Sequence, residues 1–425
     1  MEMIKKILAV NAGSSSLKFK LFSLKDEQVL AHGQADRIGL PEATFVLKLE
    51  NGEVYQDKTE IRTQEDAVEK LLSWLTKSKI VNDLSEIAGV GHRVVAGGEY
   101  FAHSTLIDQD NLHKIYELNE YAPLHNCHEA DGIKAFMKLL PNVPQVGVFD
   151  TSIHQTLDQV HYMYSLPYEY YEKYKVRKYG AHGTSVRYVS QRIASILKRP
   201  LDELNMVICH LGSGVSITAM KNGQSYDTSM GFSPLAGVTM SSRSGDIDPS
   251  ALQYILGKET DLNFDQMIDI LNNKSGLLGI SGISPDMRDI RKAISQGNER
   301  ASLARNIFIN RIVRYIGAYY LELQGIDVIA FTAGVGENDI GIRKEIMNQM
   351  SCYGLIPDYD ANQINGIEKI ISAPNSKIVA MVIPTNEELM IARDVVRIAK
   401  ISDWYFCINY AMLVCSRGCF GIRQA

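Results

Sequence analysis

Two arginines and a set of glycine-rich turns are the residues of this 425-residue chain whose types and spacing point to chemistry. Arg93 lies in His92-Arg93-Val94-Val95-Ala96-Gly97-Gly98, and Arg243 in Ser242-Arg243-Ser244-Gly245-Asp246. A guanidinium fork binds carboxylate or phosphoryl oxygens in pairs, a geometry that lysine does not reproduce. A lone arginine is ordinarily a surface residue or an ion-pair partner, but loops of glycine and serine are poor places for salt bridges alone. Three small-residue turns accompany them: Asn11-Ala12-Gly13-Ser14-Ser15-Ser16, His210-Leu211-Gly212-Ser213-Gly214 and Gly334-Val335-Gly336-Glu337-Asn338. Backbone N–H groups in such turns bind anions without a net positive charge, and the missing side chains let a phosphate approach. One Gly-Ser turn is only a turn; matched copies point to a nucleotide gripped by its phosphates.

The elements that must position these residues are legible from periodicity. An apolar strand, Ile7–Val10, enters the first turn and leaves through the alternating Leu17–Phe22, a β-hairpin pattern. The same layout returns as Met206–Leu211, the second turn, and Val215–Met220, so that Asn11 overlays His210, Gly13 overlays Gly212 and Ser14 overlays Ser213. The third turn follows a buried-type strand, Ile326–Phe331, and leads into a helix through Arg343 and Met350. Helical spacing fills residues 66–78, 185–197, 263–271 and 300–323. The expected fold is α/β, two similar halves with the cleft between them. Gly257-Lys258 is followed by Glu259, so no P-loop is present, and no G-x-S-x-G nucleophile elbow occurs.

Composition narrows the class. Hydrophobic residues make up 45% and charged residues 22%, values of an ordinary globular chain and unlike those of disordered, collagen-like or coiled-coil sequences. The net charge of −5 supplies no global field for nucleic acid or an anionic membrane, so any anionic ligand must be held by local groups. The N-terminus reads as neither a secretion signal nor a membrane span, and six sparse cysteines fit reduced thiols in a cytoplasm.

These motifs resemble those of the acetate kinases, within the superfamily of sugar kinases and actin. The resemblance covers roughly residues 4–398 and adds Pro123-Leu124-His125-Asn126, Phe149-Asp150-Thr151, Tyr179–Ser185, Asp227–Phe232 and Thr385–Asp394 to the motifs above. It implies two duplicated actin-like (ribonuclease H-like) domains with an interdomain active-site cleft. The first would be 1–151 plus about 386–400; the second, 152–385, would carry the nucleotide site and the dimer interface; 401–425 would be an atypical extension. The implied reaction is reversible, direct in-line transfer of the ATP γ-phosphate to acetate, giving acetyl phosphate and ADP with Mg²⁺ or Mn²⁺ in a cytoplasmic homodimer.

Residue by residue, the resemblance implies catalytic roles for Arg93, Asp150, His182 and Arg243, with His182 and Arg243 stabilising the transition state. Asn11 and Glu387 would serve the metal; Ser16, His125 and His210 would line the anion site. Lys18, His210, Leu211, Gly212, Ser213, Gly214, Asp286, Met287, Arg288, Gly334, Val335, Gly336, Glu337 and Asn338 would hold the nucleotide. Arg93, Val95, Leu124, Ala181 and Pro234 would receive the carboxylate and its methyl group. For each a plainer role exists: Lys18 on a solvated strand face, Asp150 as a turn cap, Glu387 as a helix-opening acid.

Position 181 is Ala where the family usually has Phe, a change expected to widen the methyl pocket toward propionate, since one methylene is worth about 1–3 kcal/mol. Ser213 replaces a usual Asn, Val186 a usual His, and Cys127 a usual Pro. The competing readings are a propionate or other short-chain carboxylate kinase, and a nucleotide-binding regulator with weak catalysis. A nucleic-acid binder using the basic run from Lys173 to Leu201 disagrees with the overall charge, and His125-Asn126-Cys127-His128 lacks the further ligands of a zinc site.

Overall fold

The structure, a computed structural model, describes residues 5–121 and 125–401. Two compact units divide it: one contains the residues up to Ile153 and resumes at Asn386, and the other is His154–Thr385. Leu124 and the segment after Ile401 lie outside the described residues.

The first unit is built on an eight-stranded sheet. Its strands are β1 (Lys6–Ala12), β2 (Ser16–Ser23), β3 (Val29–Asp36), β4 (Thr44–Leu49), β5 (Val54–Lys58), β6 (Ile87–Val94), β7 (Thr105–Leu106) and β8 (Gln145–Phe149), in the order β5-β4-β3-β2-β1-β6-β8-β7. The β1–β2 hairpin pairs Ala12 with Leu17 and Asn11 with Lys18, and β6 and β8 add in parallel beside β1. Ile7 to Val10 are almost wholly buried, as expected of a central strand covered on both faces.

The second unit carries six strands: β9 (Met206–Leu211), β10 (Val215–Lys221), β11 (Gln224–Thr228), β12 (Val328–Thr332), β13 (Lys369–Ile370) and β14 (Val379–Val382), in the order β11-β10-β9-β12-β14-β13. Here β9 and β10 form the hairpin, and β12 and β14 add in parallel. The series β3-β2-β1-β6-β8 and β11-β10-β9-β12-β14 are therefore topologically the same: three antiparallel strands followed by two parallel ones. The two hairpins differ at their turns. Four residues separate the last paired positions in the first and three in the second, since Leu211 pairs directly with Val215.

Several helices differ from their expected bounds by one or two residues, because capping side chains set the ends. Thr63 and Asp66 form a reciprocal capping box that starts Gln64–Lys77, and Asn263 with Gln266 does the same for Phe264–Asn273. Among the described residues no helix is long and apolar enough to cross a membrane. The basic run is paired within its own unit: Lys178 with Asp227, Arg192 with Glu368, Arg199 with Asp327, and Arg177 over the Tyr162 ring at 3.6 Å.

Candidate active site

In the first unit the chemistry gathers where β6 and β8 end. The helix Glu387–Ile398 lies on β6 because Gly89 and Gly91 lack side chains: a Cβ at Gly91 would meet Ile391 Cγ2 at 2.4 Å, and one at Gly89 would meet Val395 Cγ1 at 2.4 Å. That close approach brings Glu387, in the first turn of the helix, to 4.0 Å from Arg93 Nε. Asp150, the residue after β8, accepts from Arg93 Nε at 3.0 Å and Nη2 at 2.6 Å. Burial works against the Arg93 charge, but Asp150, Glu387 and Glu129 outweigh it, so the guanidinium stays protonated. Its Nη1 makes no hydrogen bond among the described residues, leaving one edge of the fork for an anion.

The backbone beyond Arg93 is pinned by three successive side chains. Val95 N–H donates to Glu129 at 2.9 Å, Ala96 N–H to Asn126 at 3.1 Å and Gly97 N–H to Thr151 at 3.0 Å. Glu129 is a residue that the sequence reading missed. Burial raises its carboxyl to about 8, against the opposing pull of Arg93. Glu387 is likewise raised to about 7, mainly by burial, with Asp150 and Glu388 adding to the rise against Arg93. Asp150 and Glu387, which flank Arg93, offer hard oxygen atoms of the kind a divalent cation takes.

At the first turn Gly13 N–H donates to Ser16 O at 2.7 Å, and Gln64 Nε2 ties down Gly13 O at 2.7 Å. Asn11 is half-buried at the end of β1, whereas its partner Lys18 is exposed on the strand face.

In the second unit two imidazoles stack, His182 on His210, with ring centres 4.0 Å apart and planes 22° from parallel. His182 has the left-handed backbone φ of 59°, which is uncommon outside glycine, and sits at the N-terminus of the helix Gly183–Leu197. Each ring is anchored through Nδ1: His182 to Ser216 Oγ at 3.0 Å, His210 to Ser185 Oγ at 2.9 Å, with Ser185 in turn 2.7 Å from Thr385 Oγ1. Both Nε2 atoms therefore lie toward the second turn: a Cβ at Gly214 would stand 3.1 Å from His182 Nε2 and 3.4 Å from Arg243 Nη1. Arg243 has no carboxylate partner among the described residues. Its Nη1 donates to Pro234 O at 3.3 Å, and burial lowers its pKa with nothing acidic to offset the loss. A partly desolvated cation above a glycine turn is suited to an anion.

Beside that turn a cavity of about 600 Å³ is lined by Gly212, Ser213, Asp286, Met287, Arg288, Gly334, Val335 and Asn338, all expected at the nucleotide. Arg291 and Asp339 line it too and were not foreseen. Asp339 Oδ1 caps the helix Ile340–Gln349, and its buried Oδ2 has no hydrogen bond, with Arg291 Nε 3.5 Å away. Asp286 caps its own helix and is held at about 2 by hydrogen bonds from Arg288.

The remaining candidates have partners within the fold. Glu337 spends its carboxylate on the Ala333 and Thr385 N–H groups, at 2.8 and 3.1 Å, and so shapes the turn. Gly336 O accepts from buried Arg343, and Leu211 is fully buried in the core. Val95 is buried beside Ala96. Ala181, 4% exposed, shares a hydrophobic cluster with Val215, Ile217 and Met240, while its carbonyl accepts from His154 Nε2. The Ala181 methyl thus belongs to the apolar core of its unit.

Known proteins are similar to this chain in sequence and in structure. Residues 6–393 match the profile of the acetokinase family. An acetate kinase of Fructilactobacillus sanfranciscensis is 52% identical over 395 residues, which are 93% of this chain and 99% of the relative. The crystal structure of Porphyromonas gingivalis acetate kinase superposes with a TM-score of 0.90 at 42% identity, covering 93% of this chain and all of that one. A propionate kinase from Francisella tularensis superposes at 0.86 with 40% identity over the same 93% and all of its own length. With sequence and fold in agreement, this chain belongs to the acetokinase family and has the acetate and sugar kinase/actin-like fold.

Proposed function

We propose that this chain is an acetate kinase, an ATP-dependent phosphotransferase with a carboxyl group as acceptor. The observation that carries the reading is Arg243, a partly buried guanidinium without a carboxylate partner among the described residues, poised with His182 at the Gly212–Gly214 turn. A carboxylate is already a nucleophile and needs no general base, so catalysis must come from positioning and from cations placed where charge spreads over the phosphoryl oxygens. Arg243 and His182 take that task, and His210 supports it from behind the ring of His182. Arg93 receives the substrate carboxylate on the edge of its fork that Asp150 leaves open. Asp150 keeps that fork in one orientation.

The nucleoside rests in the cavity of Asp286, Arg288, Gly334 and Asn338, with its phosphates on the N–H groups of the second turn. Mg²⁺ takes hard oxygen ligands, and Glu387 with Asn11 would hold it. When bound, such an ion neutralises charge between the β- and γ-phosphates. Homodimer formation and a cytoplasmic location complete the reading; both are typical of the family it resembles.

The test is hydroxylamine trapping of acyl phosphate with ATP and Mg²⁺, comparing acetate, propionate and butyrate. A higher kcat/KM for acetate supports the name; preference for propionate makes this a propionate kinase; ATP binding without product from any acid overturns the enzymatic reading.

A further inference from the structure

Outside the residues assigned to the reaction, three elements of the second unit bring an imidazole and two carboxylates together. His161 comes from the helix Gln159–Tyr162, Asp227 from β11, and Glu322 from the end of the helix Glu299–Glu322. One ligand atom of each lies within 4.8 Å of the other two. An ion held about 2 Å from each needs them roughly 3.3 Å apart, and Glu322, exposed at its helix end, can swing inward to close the difference. The His161 imidazole makes no hydrogen bond among the described residues and packs on the Tyr226 ring, with ring centres 4.5 Å apart. Asp227 Oδ1 accepts from Lys178 Nζ at 2.5 Å and from the Thr228 N–H at 2.7 Å, which leaves Oδ2. Two carboxylates thus share one ammonium group, and a negative charge remains.

A second observation points into the same cluster. Tyr319, three residues before Glu322 and so on the same helix face, is 1% exposed, and its hydroxyl makes no hydrogen bond. The carboxylates that act on this hydroxyl are Asp227, Glu322 and Asp246. Asp246 is already taken, by the Tyr315 hydroxyl at 2.6 Å and the Gly237 N–H at 2.8 Å. A buried hydroxyl left unpaired is unfavourable, and a water held on an ion would satisfy it.

We propose that His161, Asp227 and Glu322 bind a zinc ion, one per chain, with water as the fourth ligand and the Tyr319 hydroxyl hydrogen-bonded to that water. An imidazole with two carboxylates suits Zn²⁺ better than Mg²⁺, which takes oxygen ligands, so the site is distinct from the metal of phosphoryl transfer. The ion takes Asp227 through Oδ2, beside the Oδ1 that Lys178 holds. Its ligands come from a short helix, a strand and the end of a long helix, so binding staples these elements and stabilises the second unit.

The experiment titrates Zn²⁺ by calorimetry into metal-stripped wild type, His161→Ala, Glu322→Gln and Tyr319→Phe, with Mg²⁺ in excess so that oxygen-only sites are filled. Wild type is expected to bind one Zn²⁺ per chain and to melt at a higher temperature with it. Tyr319→Phe keeps the ring and its packing and should bind about tenfold more weakly, the loss expected of an outer partner, with larger losses in His161→Ala and Glu322→Gln. Failure of wild type to bind zinc, or wild-type affinity in any of the three variants, overturns the proposal. Zinc-edge X-ray absorption of the wild-type protein should show the outer-shell scattering of one imidazole. Its absence overturns the proposal even if His161→Ala does not fold.

Discussion

Gly214→Ala offers the sharpest test of the second turn, because it adds one methyl group to a place that the chemistry needs empty. Gly214 does not have a left-handed φ, so alanine fits its backbone without strain, and the loss of glycine freedom in the unfolded chain favours folding by about 0.4–1 kcal/mol. The new methyl carbon would stand 3.1 Å from His182 Nε2, 3.3 Å from His182 Cε1 and 3.4 Å from Arg243 Nη1. These contacts are tight but can be relieved by shifts of a few tenths of an ångström, so the fold survives. Catalysis has less tolerance. The methyl group takes the volume in which a phosphoryl oxygen would accept from His182 and Arg243, and removing one preorganised donor to a transition state costs about 10²–10³ in rate. The expectation is a kcat about a hundredfold lower or worse, with a melting temperature equal to or above that of wild type. Acyl phosphate trapping and thermal unfolding read the two quantities independently. A folded Gly214→Ala protein within threefold of wild-type turnover would show that the transferring group does not pass between His182 and Arg243.

Other substitutions probe the remaining contacts. Arg243→Ala should lower kcat by about 10²–10³ while leaving stability nearly unchanged, since the guanidinium has no ion-pair partner to orphan; steady-state kinetics and calorimetry on one preparation check both halves. Asp339→Asn keeps the Oδ1 cap of the helix Ile340–Gln349 but turns the unsatisfied Oδ2 into a donor facing Arg291; the ATP KM should rise about tenfold with the acetate KM unmoved. Ala181→Phe should overpack the second unit and destabilise it by about 1–3 kcal/mol before it alters the acetate-to-propionate ratio, as urea unfolding beside substrate kinetics would show.

What the sequence revealed and what it hid follow from how far each signal reaches along the chain. Both hairpins were legible, because alternation and small-residue turns are local and each strand pairs with its neighbour. The parallel additions of β6 and β8 to β1, and of β12 and β14 to β9, carry no local mark, and their symmetry emerges only from the folded register. The arginines and glycine turns of the site stand out by type, and its histidines only through the family resemblance. Their supports do not: Glu129, Asn126 and Thr151 serve one three-residue stretch from two separate places, and each alone reads as an ordinary polar residue. Glu337 is the opposite case. It sits inside a nucleotide-type loop, yet its carboxylate is consumed by two backbone N–H groups that such a loop would otherwise leave unsatisfied. Ala181, a pocket position by the family resemblance, packs its methyl group in the apolar cluster of its unit, a placement no local pattern marks.

The two arginines differ in a way that fits two different anions. Arg93 is compensated: Asp150 accepts from two of its nitrogens and Glu387 stands nearby, so a further carboxylate meets little net positive charge and binds through the geometry of the remaining fork edge. Arg243 is uncompensated, and burial strips it of water without giving it an acid in exchange. A small monoanion that must enter and leave freely is better served by the first kind, because an unpaired buried guanidinium would hold it too long. A transferring phosphoryl group, whose negative charge spreads over three oxygens, is better served by the second, where the attraction is largest when that charge is present and the empty site pays a desolvation cost. Exchanging these environments tests the argument: Asp150→Asn should tighten acetate binding, lowering its KM, while slowing turnover through loss of the fixed fork. A raised acetate KM with unchanged kcat would mean that Asp150 aids binding directly and that charge compensation at Arg93 is incidental.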